Sequence, residues 1–153
     1  MTSRRQFLLL GIVATPAFAQ LDSNIAAKRK AALEAAIRKV TGGKDVRAGK
    51  VTLDVPPLVD NGNTVPVTVS VDSPMTAANH VQAIHLFTEK NPQPFVFTAH
   101  LGPRAGRAKI SARCRIADTG NVIAVAQMSD GTLWSDTISV VVTLSACLED
   151  GLI

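Results

Sequence analysis

Aromatic residues are scarce in this sequence of 153 residues, which has no tyrosine, one tryptophan and five phenylalanines. Binding sites for sugars and nucleic-acid bases depend on aromatic faces, so the composition argues against both. The same scarcity means that a core must be built from valine, isoleucine, leucine and alanine. Two cysteines and three histidines are too few to predict a structural zinc site.

The sequence signatures of common enzymes are also absent. There is no G-x-S-x-G nucleophile elbow, no H-E-x-x-H metal motif, no phosphate-binding loop and no C-x-x-C pair. No acid and base are paired, and no cofactor fingerprint is present. We therefore expect no catalytic residues, no metal site and no resident cofactor.

The first nineteen residues have the features of a twin-arginine signal peptide. Arg4 and Arg5 precede a short apolar stretch at residues 7–13, and an A-x-A cleavage signal follows at residues 17–19. A bilayer span needs about 20 apolar residues, so an uncleaved membrane anchor is the less favoured alternative. We expect export to the periplasm by the twin-arginine route, removal of residues 1–19, and no membrane span afterwards.

Removal of this segment lowers the formal net charge from +4 to +2, because Arg4 and Arg5 are its only charged residues. A net charge so close to neutral gives nucleic-acid binding little electrostatic support. The length that remains suits one domain.

Residues 20–43 are predicted to form an N-terminal helix. Asp22 or Ser23 can cap its start, and two consecutive glycines end it at residues 42–43. Basic residues in this segment are expected on its solvent-exposed faces. Apolar residues recur at helical spacing, at Ile25, Leu33, Ala36, Ile37 and Val40.

After Lys50 the apolar period changes to the alternation that is typical of half-buried strands. Segments rich in glycine, proline, asparagine and aspartate separate the alternating runs. This pattern predicts a mainly β fold, an immunoglobulin-like β-sandwich of about seven strands that occupies residues 44–144. The predicted strands cover residues 51–55, 65–71, 81–87, 95–99, 108–116, 122–128 and 132–144.

Cys114 lies within the predicted strand at residues 108–116, where apolar and polar side chains alternate strictly. The alternation places it on the same face as Ile110 and Ile116, and Arg113 on the other. We therefore expect Cys114 to point into the core and to act as a small hydrophobic residue.

The histidines offer one possible metal site. His85 and His100 lie on neighbouring predicted strands, and together with Met75 or Met128 they could bind copper. Solvent-exposed or hydrogen-bonded histidines are more common on strands, so this remains a minor hypothesis.

Cys147 lies in a tail at residues 145–153, just beyond the last predicted strand. An accessible thiol is chemically conspicuous in an oxidising compartment. Two other roles are open. Cys147 could form a disulfide with Cys114, or it could be buried if the apolar residues of the tail pack onto the domain. These apolar residues are Leu148, Leu152 and Ile153.

The chain resembles the SoxY family. The similarity lies in the twin-arginine signal, the short helix, the β-sandwich and a final strand that reads Val-Val-Thr-Leu-x-x-Cys at residues 141–147. Residues 56–67, 112–117 and 129–134 also look like this family. The likeness covers nearly the whole chain.

The resemblance implies a carrier in periplasmic thiosulfate oxidation by the Sox system, and not an enzyme. Members of the family pair with SoxZ as a heterodimer and hold sulfur on the cysteine of a Gly-Gly-Cys-Gly-Gly arm. A c-type cytochrome complex helps to load this cysteine, and the conjugate then visits other periplasmic sulfur-oxidising enzymes. Cys147 falls at the position of that cysteine and is therefore the predicted site of covalent sulfur attachment.

The tail departs from the family pattern on both sides of Cys147. Ser145-Ala146 and Leu148-Glu149 stand where glycines are expected, and the sequence continues to Ile153. A channel shaped for bare glycine backbone would clash with Leu148. The alternative function is therefore an immunoglobulin-like interaction subunit that pairs with a SoxZ-like partner without transferring sulfur.

Overall fold

The computed structural model describes residues 17–144, with side chains from residue 24 onward. This part of the chain forms one α-helix, one 3₁₀ turn at Pro103–Ala105, and nine strands. The helix is α1 (Ala17–Thr41), and the strands are β1 (Val46–Ala48), β2 (Val51–Asp54), β3 (Leu58–Asn61), β4 (Val65–Val71), β5 (Val81–Thr88), β6 (Phe95–His100), β7 (Lys109–Cys114), β8 (Gly120–Met128) and β9 (Leu133–Leu144).

The strands form two sheets. The larger sheet has six strands in the order β1-β9-β8-β5-β6, with β3 also paired to β9. The smaller sheet has the order β2-β4-β7 and is antiparallel throughout. The predicted fold class, a mainly β sandwich with an N-terminal helix, is confirmed.

The main core lies between the two sheets and consists chiefly of aliphatic side chains. Valines of β4 face the isoleucine and leucine of β5, as the scarcity of aromatic residues predicts. The most deeply buried members include Val65, Val67, Val69, Ile84, Leu86, Val122 and Val140.

Helix α1 covers part of the outer face of the larger sheet. Leu33 packs with Phe87 of β5, Val125 of β8 and Leu133 of β9 in a second apolar cluster. Gly42 and the glycine after it adopt φ angles of +63° and +76°, a region that favours glycine and ends the helix as predicted. Within residues 17–144, no helix has both the length and the apolar character that crossing a membrane requires.

Two short strands were missed by the sequence analysis. β1 and β3 both pair in parallel with β9, at its beginning and at its end. β1 has only three residues, too few for alternation to be recognised. β3 shows no alternation, and its second half overlaps residues 60–63, whose composition is typical of a turn. The pairing of β3 matters for function because it reaches the last described residue of β9.

Candidate functional site

The predicted attachment site, Cys147, belongs to the tail at residues 145–153, which lies outside the described residues. The structure describes the segment that leads to it, the end of β9 as far as Leu144. The geometry of this segment decides where on the folded domain the tail begins.

Strand β3 holds the end of β9. Asn61 is in register with Leu144, and the backbone N–H of Gly62 donates to the carbonyl oxygen of Leu144 over 3.2 Å. The hydroxyl of Thr143 also donates to the carbonyl oxygen of Asp60, at 3.1 Å. The chain is therefore fixed to the sheet up to the last described residue.

Thr119, in the loop before β8, secures the same segment from the other side. The backbone N–H of Val142 donates to Thr119 Oγ1 over 3.0 Å, and this hydroxyl donates back to the carbonyl oxygen of Val142 at 3.4 Å. On the β3 side of the same segment, the N–H of Val141 donates to the carbonyl oxygen of Pro57 over 2.9 Å. No local pattern in the sequence predicts this role of Thr119, because the contact joins residues 23 positions apart.

The end of β9 is exposed although it is well anchored. Leu144 is 67% exposed, Val141 is 47% exposed, and Leu58, the register partner of Val141, is 60% exposed. Cys147 follows Leu144 by three residues, a span of about 10 Å when the chain is extended. The chain therefore continues toward Cys147 from an exposed and firmly anchored part of the surface.

Cys114 has the opposite environment. Its side chain is 8% exposed and belongs to the core between the sheets, as predicted. It is a free thiol in the structure, and burial raises its pKa. The alternative of a disulfide with Cys147 is not tested by the structure, because Cys147 lies outside the described residues.

The structure does not bring the histidines and methionines of the copper hypothesis together. His85 and His100 share the outer face of the larger sheet, because His85 is in register with Thr98 and His100 with Ala83. The two methionines, Met75 and Met128, lie in the core on the other side of that sheet.

His85 instead has the hydrogen-bonded role that is common for histidines on strands. Its Nδ1 lies 2.7 Å from Thr98 Oγ1, and the side chain is 6% exposed. Burial lowers the pKa of His85, and the nearby charge of His100 lowers it further. Among the side chains from residue 24 to residue 144, no group of three or more His, Cys, Asp or Glu could hold a metal ion.

Comparison with known families identifies the chain. The family model described as "Sulfur oxidation protein SoxY" matches residues 37–147. The chain belongs to the SoxY family. The match begins within α1, covers every described strand of the sandwich, and ends at the predicted attachment residue.

Solved structures agree with this assignment. The sulfur carrier protein SoxY from Chlorobium limicola f thiosulfatophilum is 30% identical, with a TM-score of 0.63 over 74% of this chain and 98% of that one. No curated protein matches the sequence.

Two superoxide reductases share the fold alone. The superoxide reductase (neelaredoxin) from Ignicoccus hospitalis is 19% identical, with a TM-score of 0.55 over 61% of this chain and 80% of that one. The superoxide reductase from Nanoarchaeum equitans is 13% identical, with a TM-score of 0.52 over 63% of this chain and 100% of that one.

Family membership confirms the predicted resemblance. It also supports the predicted class of protein, a SoxY family member and not an enzyme.

Proposed function

We propose that this SoxY family member is a carrier that holds sulfur intermediates covalently on Cys147 for partner enzymes of periplasmic thiosulfate oxidation. The observation that carries the proposal is the family match, which runs to residue 147 and so includes the cysteine. The relative from Chlorobium limicola f thiosulfatophilum is itself a sulfur carrier protein.

The geometry of the domain suits a carrier. A carrier has to present its cargo away from its own body, and it has to keep the base of its arm in a fixed place. Hydrogen bonds to β3 and Thr119 hold β9 up to Leu144, whose side chain is exposed. The other cysteine, Cys114, is buried and does not compete for the cargo.

Loading of the cysteine is an oxidation. The thiol of Cys147 loses a proton, its sulfur bonds to the outer sulfur of thiosulfate, and two electrons leave: R–SH + S₂O₃²⁻ gives R–S–S–SO₃⁻, H⁺ and two electrons. The c-type cytochromes of the system accept the electrons. Hydrolysis by a partner enzyme then releases sulfate and leaves a persulfide on Cys147.

Activation of the thiol has to come from a partner. An ordinary cysteine with a pKa of about 8.5 is only a few per cent thiolate at neutral pH. Glu149 and Asp150 follow Cys147 closely and disfavour the thiolate further. The tail contains no histidine, lysine or arginine that could act as a base or stabilise the anion.

A SoxZ-like subunit is the expected structural partner. Leu58 and Val141 are paired in register and form an exposed apolar surface on the larger sheet, which we call the outer patch. Exposed apolar side chains that adjoin one another are typical of surfaces that bind another protein. The outer patch lies beside the base of the tail, so a partner bound there would leave the tail at the edge of the complex.

Export by the twin-arginine route is part of the proposal. The double variant Arg4→Lys/Arg5→Lys retains the charge of the leader but loses the paired arginines on which that route depends. We expect the precursor to accumulate in the cytoplasm, which cell fractionation followed by intact mass measurement would detect. Normal export of the variant would show that another route is used.

The carrier role can be tested first without partner enzymes. Tetrathionate transfers a thiosulfonate group to an accessible thiolate and releases thiosulfate, so no separate oxidant is needed. We expect one adduct per native molecule, mapped to Cys147, with Cys114→Ala as the matched variant that retains the adduct. An adduct on Cys114, or none, would contradict an accessible Cys147.

The decisive test uses the complete system. We expect Cys147→Ser to abolish oxidation of thiosulfate by the reconstituted periplasmic enzymes, and Cys114→Ala to retain it. If oxidation continues at the wild-type rate with Cys147→Ser, the carrier proposal is wrong.

The outer patch favours one alternative function, an interaction subunit that binds a SoxZ-like partner and transfers no sulfur. This alternative predicts a complex that survives Cys147→Ser unchanged, and a wild-type thiol that stays unmodified when thiosulfate is supplied together with the partner enzymes and their c-type cytochromes as electron acceptor. In either case we expect Val141→Asp to weaken the complex, with Thr52→Asp, an exposed site on the smaller sheet, as the control. Titration calorimetry with the purified partner would measure both.

A further inference from the structure

An apolar groove runs between α1 and the loop that connects β5 to β6. It has a volume of about 470 Å³, within the range of roughly 300–1,000 Å³ that is typical of binding pockets. Its walls are Ala32, Ala36, Lys39 and Val40 of the helix, residues 92–94 of the loop, and Phe95 at the start of β6. A second cavity of about 300 Å³ shares Ala32 and Pro92 with it and extends the groove along the helix.

The groove lies at the same end of the larger sheet as the end of β9. The N–H of Thr88 donates to the carbonyl oxygen of Pro94 over 2.8 Å, and Thr88 is in register with Val122, which is in register with Ile138. Leu144 lies six residues beyond Ile138 along β9. With about 4.8 Å between strands and about 3.3 Å per residue, Leu144 is roughly 24 Å from Pro94.

The length of the tail matches this distance. The printed sequence continues for nine residues after Leu144, enough to span roughly 30 Å. Leu152 and Ile153 can therefore reach the groove when the tail is extended, whereas Cys147 extends only about 10 Å from Leu144.

The charges of the two segments are complementary. From residue 24 to its end, α1 carries five basic residues and one acidic residue, and Lys39 forms part of the groove wall. The tail has two acidic residues, Glu149 and Asp150, shortly before its apolar pair. An acidic segment that ends in aliphatic side chains is the kind of ligand that an apolar groove on a basic helix binds.

We propose that residues 149–153 of the same chain dock in the groove, with Leu152 and Ile153 between α1 and the β5–β6 loop. Cys147 then lies in a span that is attached at both ends, at Leu144 and at the groove. A segment of the same chain has a high effective concentration at the groove, which favours it over a second copy.

This proposal does not depend on sulfur transfer, so its test uses the mature chain with Cys147→Ser. In that background, the pair Ala36→Cys/Leu152→Cys places one thiol in the groove wall and one in the docking segment. The matched control is Ala31→Cys/Leu152→Cys, because Ala31 lies on the exposed side of the same helix, away from the groove. We expect the first pair to form an intramolecular disulfide at least about tenfold faster under mild oxidation.

A second measurement needs no new cysteine. We expect Leu152→Asp/Ile153→Asp to change the NMR amide shifts of Ala32, Ala36 and Phe95 and to leave those of the smaller sheet unchanged. Equal cross-linking rates, or groove amides that do not respond, would overturn the proposal. Cross-linking that yields dimers, with a rate that rises with protein concentration, would also overturn it by assigning the groove to a second copy.

Discussion

The two halves of β9 have different environments although they belong to one strand. Leu133, near the beginning, packs beneath α1 with Phe87 and Val125. Val141, near the end, points from the same face of the sheet and is exposed beside Leu58. Both residues are apolar, so the helix that covers only the first half makes the difference. The covered half stabilises the domain, and the uncovered half remains available where the chain continues toward Cys147.

The covered half should be the more sensitive of the two to substitution. Phe87 of β5 is fully buried in the cluster that covers this half, so Phe87→Ala removes a large apolar contact and leaves a cavity. We expect it to lower the free energy of unfolding by about 3–5 kcal/mol. Leu58→Ala, in β3 beside the uncovered half, should change this free energy by less than about 0.5 kcal/mol. Urea unfolding of the two variants checks the contrast, and similar losses would show that the outer patch is packed in solution.

The two cysteines offer a second contrast between buried and open positions, with a more moderate effect. Cys114→Ser puts a hydroxyl into a cluster of buried apolar side chains. We expect a loss of about 1–3 kcal/mol in the free energy of unfolding, with a smaller loss for Cys114→Ala. Cys147→Ser should leave the free energy of unfolding unchanged within about 0.5 kcal/mol. A large loss for Cys147→Ser would indicate a structural thiol, as in the disulfide alternative.

Much of the fold could be predicted from the sequence because alternation is a local signal. The seven predicted strands correspond to β2 and to β4 through β9, and the orientation of Cys114 followed from alternation alone. β1 and β3 could not be predicted, because their pairing depends on β9, which lies far away in the chain.

The candidate site could be predicted only in part. The position of Cys147 in the sequence pointed to the family, whose model matches the chain up to that residue. The anchoring by Thr119 and Gly62 depends on tertiary contacts that no local pattern encodes. The groove beside α1 was missed for the same reason, since it exists only where the helix meets the β5–β6 loop.

A smaller change in stability is expected where Thr119 holds the uncovered half. Thr119→Val retains the shape of the side chain but removes the hydroxyl that bonds both the N–H and the carbonyl of Val142. We expect a loss of about 1 kcal/mol in the free energy of unfolding and faster hydrogen exchange at Val142. Thr119→Ser keeps the hydroxyl and should retain the protection. Unchanged exchange in Thr119→Val would mean that β3 alone fixes the end of β9.

The smallest expected effect is the pH dependence of the free energy of unfolding that is due to His85, on the outer face of the larger sheet. Burial lowers the pKa of His85 below the ordinary value of 6.5, and the charge of His100 lowers it further. As the pH falls below 6.5, the unfolded chain binds a proton at this position before the native protein does, so the free energy of unfolding decreases until the lowered pKa is reached.

Urea unfolding on both sides of that pH measures this dependence. His85→Gln should reduce the decrease in stability, because the side chain no longer titrates. His100→Gln should reduce it less, since it removes only the secondary cause of the lowered pKa. Equal pH dependence in the wild type and in His85→Gln would show that His85 is open to solvent, and that the covered part of the sheet ends before this position.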